Sequence, residues 1–201
     1  MSLTTPPGAP AALPPQGGAA GGPAEPDPRR PLEGWVGGVE AFIDLVGNAT
    51  LYLTLVMIGL VATNVLLRYT LSLGSMWAQE LEWHLLATII LLGMSYALQR
   101  GDNVRVDVFY AGFSPRRQFI VNLLSHGLLL LIALVFIKLS LGYVEQSWSI
   151  GERSADPGGI PFRWAVKSLI PLGFGLLALQ TVAAMIRLVL VERQRLESAR
   201  A

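Results

Sequence analysis

The chain has 201 residues, 52% of them hydrophobic and 14% charged, with a net charge of +1 and no cysteine. A soluble domain carries about 25% charged residues. So sparse and balanced a charge gives nucleic acid no electrostatic footing, and the absence of cysteine excludes disulfides, thiolate metal sites and cysteine-held clusters.

The first 34 residues are a different material from the rest. Nine of the 13 prolines precede Leu32, mixed with Gly and Ala. Such a segment buries too little apolar surface to offset its ordering entropy, so 1–34 is expected to be a disordered tail. It lacks the basic start and apolar core of a signal peptide.

Four windows then carry no Asp, Glu, Lys or Arg: 45–67, 83–99, 118–137 and 168–186. A hydrocarbon core about 30 Å thick takes roughly 20 helical residues. The expectation is an all-α integral membrane protein with a four-helix membrane domain over 35–191. Its spans run at about 45–67, 80–99, 115–148 and 161–187, followed by a short basic tail, 192–201. Within the first span, Asn48 and Asn64 are placed to hydrogen-bond neighbouring helices.

The second span opens on Trp77, Glu80 and Glu82. Trp77 and Trp83 fit an aromatic belt. The two carboxylates sit at a helix N-terminus, where the helix dipole favours negative charge, and residues two apart point to different faces. Structural charge is therefore the reading preferred over an acid–base pair. The span leaves through Arg100-Gly101-Asp102, a tripeptide too short to carry an integrin reading, into Val104-Arg105-Val106-Asp107. A lone strand at a membrane has no ladder partner. This exit reads instead as an interfacial segment, with Arg100 reaching toward lipid headgroups and Arg105 and Asp107 facing water or a partner.

The third helix is announced by Ser114 as N-cap and Pro115 at the first helical position. Its pattern persists to about Trp148, on the order of 50 Å, so it is expected to tilt or to protrude beyond the membrane. Asp156–Pro161 is a turn-rich break. Pro161 is expected to open the fourth helix, and Pro171 lies inside it, where a proline frees a backbone carbonyl.

Assigning cations to loops gives ten on the side of the termini and the second loop, and five on the other. The positive-inside rule then puts both termini in the cytoplasm. His84 and His126 invite a haem reading. Their depths above the inner interface, about 22 and 13 Å by helical rise, do not match. No nucleophile–base pair, phosphate loop or metal spacing is present, so no catalytic, metal or substrate-binding residue and no cofactor is assigned. No Asp, Glu, Lys or Arg lies deep within a span, whereas transporters place polar groups or broken helices there. The chain calls for a partner subunit. The rivals are a free-standing four-helix redox or haem protein and a scaffold of some unrelated membrane complex.

One set of motifs is more specific. "WAQEL" (Trp77–Leu81), Gly93 in "LLGMSYALQRG", and "VRVD" (Val104–Asp107) together resemble the small membrane subunit, DctQ type, of the tripartite ATP-independent periplasmic (TRAP) transporters. The resemblance covers roughly 34–191. Asn103 departs from it, since the family often has histidine there. The resemblance implies a non-enzymatic permease subunit in a bacterial inner membrane. It implies a DctM-type large subunit that carries the substrate and sodium sites, and a periplasmic binding protein that delivers an organic acid. This chain would be the static scaffold. Trp77, Glu80, Glu82, Arg100, Arg105 and Asp107 would then serve as an interfacial clasp, with Gly93, Pro161 and Pro171 structural. "EQSWSIGERSADPGGIPFRWAVKSLIPLGF" (Glu145–Phe174) looks like a subgroup associated with 2-oxo acids or other monocarboxylates.

Overall fold

The computed structural model describes residues 30–101 and 112–199. They form four helices: α1 (Arg30–Leu71), α2 (Met76–Arg100), α3 (Pro115–Ser149) and α4 (Arg163–Ser198). Each is long and apolar enough to cross a membrane. The disordered-tail expectation for 1–29 lies outside the described residues, as do Arg105 and Asp107. Residues 30–34, read as tail, instead open α1.

Helix ends follow backbone chemistry more than hydrophobicity. Ser75 caps α2, its hydroxyl accepting from the Ala78 N–H at 3.4 Å. Gly101 ends α2 in the left-handed region at φ 74°, and its N–H returns to the Ala97 and Leu98 carbonyls. That is the αL stop for which glycine is suited, and it accounts for the Arg-Gly exit. Ser114 does precede α3 with Pro115 at its start, but its side chain makes no capping bond. Pro161 does not open α4. The helix begins two residues later, after Phe162, a non-glycine residue held at φ 67°.

α1 is 42 residues and α4 is 36, so both outrun a bilayer, at about 63 and 54 Å by helical rise. Their surplus lengths meet at one end. Val36, Val39 and Ile43 of α1 pack on Ala183 of α4. The Glu40 carboxylate pairs with Arg187 there at 2.7 Å. α1 and α4 are therefore antiparallel, with both ends of the helical domain together.

α4 is the hub. A third of its most apolar window (33%) is buried, against 6% in each of the others. It packs on α3, α2 and α1, while α1 also packs on α2. In lipid there is little hydrophobic force between helices, so close packing of small residues takes its place. α4 is built for that, burying Gly173, Ala178, Thr181 and Ala183. A Cβ on Gly173 would stand 2.6 Å from the Leu91 carbonyl oxygen of α2. α3 adds Ala133, fully buried against Leu177 and Ala178, and Phe136 stacked on Phe174 at 4.6 Å. Three buried hydroxyls are paired: Thr181, Ser95 and Ser140 donate to carbonyls of their own helices. This removes the cost of burying them.

Candidate functional site: polar clamps at both ends of the helices and an apolar belt between

At the end bearing the α1–α2 and α3–α4 connections, Glu80 is the organising side chain. It lies one turn into α2, with a carboxylate only 10% exposed. It accepts from the Ser154 hydroxyl and the Ile160 backbone N–H of the α3–α4 loop. Arg163, at the start of α4, closes the set at 3.3 Å. One acidic group thus ties α2 to the loop and to α4. Gly159 makes this possible, since a Cβ there would meet the Ser154 hydroxyl at 2.4 Å and a Glu80 oxygen at 2.7 Å.

Two further contacts strengthen this end. Glu152 pairs with Lys167, whose ammonium stands 3.9 Å from the Tyr143 ring centroid. The Lys167 ammonium beside it holds the Glu152 carboxyl below the usual carboxylate range. Trp148 and Trp164 meet edge to face at 4.4 Å, closing the α3–α4 junction. Glu82 faces the other way from Glu80 and accepts from the Asn64 amide of α1 at 3.0 Å. The two carboxylates serve different helices, as their spacing requires. Asn64 is the interhelical donor the sequence suggests, whereas Asn48 is exposed.

At the end bearing the termini, Arg100 pairs with Asp44 of α1 at 3.0 Å and lies over the Tyr96 ring. Gln99 donates to the Glu40 carbonyl at 3.2 Å. So Arg100, Glu80 and Glu82 all have partners within the chain. Trp77 is half exposed. Among the described residues of the named clasp, none of Trp77, Glu82 and Arg100 is joined to Glu80. Instead the structure joins Glu80 to Ser154, Ile160 and Arg163, which sequence reasoning missed. The signal that could have found them is the pairing of Gly159 with a charge at the next helix start.

The glycines differ in how closely a neighbouring helix approaches them. Gly93 faces Thr50, but an added Cβ would come only to 4.0 Å, so it does not set the α1–α2 distance. Gly47 does, since a Cβ there would lie 2.2 Å from the Tyr96 ring, and Gly173 does so for α2 and α4. Both histidines are bonded locally, Nδ1 of His84 to the Glu80 carbonyl and Nδ1 of His126 to the Asn122 carbonyl at 2.7 Å. Among the described residues no group of three or more His, Asp or Glu is placed to hold a metal.

Between the two polar ends lies an apolar belt. Its outward side chains include Tyr52, Leu55 and Leu66 on α1 and Leu124, Leu131 and Leu139 on α3, each more than half exposed. Such a belt belongs in hydrocarbon or against another apolar protein. A search of curated proteins finds no match to the chain. Residues 57–191 match the family described as tripartite ATP-independent periplasmic transporters, DctQ component. The matched stretch runs from mid-α1 through most of α4, taking in the Glu80 clamp and the Gly173 crossing, and the chain belongs to that family, the small membrane subunits of TRAP transporters.

Proposed function

We propose that this chain is the fixed scaffold of a sodium-coupled TRAP permease. It seats a DctM-type large subunit, which moves the substrate, and works with a periplasmic protein that delivers an organic acid. The family match carries this reading. The distribution of charge supports it. The ion pairs of the described residues lie at the ends of the helices, joined by α1, α2 and α4 contacts, with the apolar belt between them. Clamped at both ends, the helices resist sliding past one another, which suits a scaffold and not a moving element.

Both termini are cytoplasmic and the membrane is a bacterial inner membrane; the cation count supports that orientation. The Glu80 clamp then faces the periplasm. Arg105 and Asp107 form a cytoplasmic clasp toward the large subunit. The substrates to try first are 2-oxo acids and other monocarboxylates, on the resemblance of Glu145–Phe174. The test is co-purification from mild detergent with a co-expressed DctM-type large subunit. A stable one-to-one complex is expected, and failure of the two chains to associate in lipid would overturn the proposal.

A further inference from the structure

Stepping alternately by three and four residues from Trp35 to Leu66, α1 presents ten outward positions over about 47 Å of helix. All ten are exposed. Six are bulky, namely Trp35, Phe42, Leu45, Tyr52, Val56 and Leu66, at 42 to 78% of the exposure scale's upper half or just below it, the least exposed being Trp35 at 42% and the most exposed Tyr52 at 71%. The other four are small: Gly38, Ala49, Gly59 and Thr63. A Cβ on Gly38 or Gly59 would meet nothing within 4 Å. None of the charged residues of α1 falls on the series. Glu40 and Asp44 turn instead toward Arg187 of α4 and Arg100 of α2.

The stripe does not stop where hydrocarbon stops. Asp44 and Arg100 pair at 3.0 Å at the level where the apolar windows of α1 and α2 end. Trp35 lies nine residues beyond Asp44, about 14 Å by helical rise. Headgroups add only about 5–8 Å to each side of the hydrocarbon. Lipid can therefore cover the stripe from Leu45 onward but not Trp35, and a pattern carried on past the bilayer calls for a protein surface. The outward side of α3 differs. Its comparable series from Leu124 runs into Lys138 and Glu145, both exposed, as a face met by headgroups and water requires. A repeat of 3.5 residues follows a left-handed crossing, and small residues set among bulky ones leave the holes that a neighbour's side chains fill. We propose that this stripe of α1 seats the large subunit, through one long apolar helix that lies along it from Trp35 to Leu66 in a left-handed crossing. The inference rests on the scaffold reading and names the face on which the large subunit sits.

The test uses the full-length chain co-expressed with a DctM-type large subunit. A photoreactive benzophenone side chain is placed at Trp35, at Tyr52 or, on α3, at Leu131. Illumination of membranes should join the Trp35 and Tyr52 variants to the large subunit at least tenfold more than the Leu131 variant. Gly38→Leu combined with Gly59→Leu should lower the yield of the two-subunit complex at least tenfold without lowering the Tm of the isolated chain, since neither position has a neighbour within it. A complex that gives no adduct at Trp35 or Tyr52 overturns this seat and leaves the scaffold reading standing, whereas no complex at all overturns both. An adduct between two copies of this chain at Tyr52 gives the stripe to a homodimer and overturns the seat. Undiminished complex from the double glycine variant overturns it as well.

Discussion

Glu80 holds three partners on two other parts of the chain, so its removal should be felt in the loop more than in the helices. Glu80→Ala is expected to speed tryptic cleavage after Arg153 by at least fivefold. Glu80→Gln can keep its oxygen on the Ile160 N–H and donate from its amide nitrogen to the Ser154 hydroxyl oxygen, and should change it less. Unchanged cleavage in the alanine variant would mean the clamp does not order the loop. Glu152 gives the same loop a pH dependence. Its folded pKa is depressed by Lys167, so its contribution is present above the ordinary carboxylate range and is lost as pH falls through the lower, folded value. Hydrogen exchange across 150–162 should therefore stay slow through pH 5 and quicken only below the usual carboxylate range, and Glu152→Gln should remove that step. Much at this scale was legible. Asn64 as a donor, and the divergence of Glu80 from Glu82, follow from residue type and helical spacing. The partners of Glu80 did not, because a hydrogen bond from a backbone N–H 80 residues away leaves no periodic trace.

Helix number and type were readable from the charge-free windows, because the bilayer requires length and apolarity together. Helix bounds were not. α1 begins at Arg30, where the apolar window begins only at residue 45, because Glu33, Glu40 and Asp44 are tolerated once a helix leaves hydrocarbon and finds a partner. Pro161 looked like a helix start because proline suits the first turn, but the tie from Ile160 to Glu80 keeps the loop going to Phe162. The close crossings also sort the glycines. Gly173→Ala should destabilise by about 1–3 kcal/mol, because the Leu91 backbone cannot yield. Gly47→Ala should cost less, since the Tyr96 ring can swing, at the expense of its contact with Arg100. Gly93→Ala should be neutral or stabilising by up to about 1 kcal/mol, from helix propensity alone. Thermal denaturation of the three variants in one detergent checks the order. A Gly93 variant worse than the Gly173 variant would show that the α1–α2 contact, not α2–α4, limits the packing.

At the scale of the whole molecule, two clamped ends and an apolar belt describe a piece of wall, and the orientation of that wall is open to direct labelling. The chain has no cysteine. A single cysteine at Ser72 should react with an impermeant thiol reagent in intact cells, and one at Ser114 only after lysis. The reverse pattern would invert the topology. The clasp assigned to Arg105 and Asp107 predicts that Asp107→Ala lowers the yield of the two-subunit complex and leaves the apparent KM for uptake unchanged. Normal assembly with a raised KM would place that motif in substrate handling. The most direct test of the scaffold role is reconstitution into liposomes under an inward sodium gradient, with the large subunit and the loaded binding protein, with and without this chain. Uptake is predicted only when the large subunit and this chain are both present, and none with this chain alone. Sodium-driven uptake by this chain alone, or full uptake in its absence, would contradict the account.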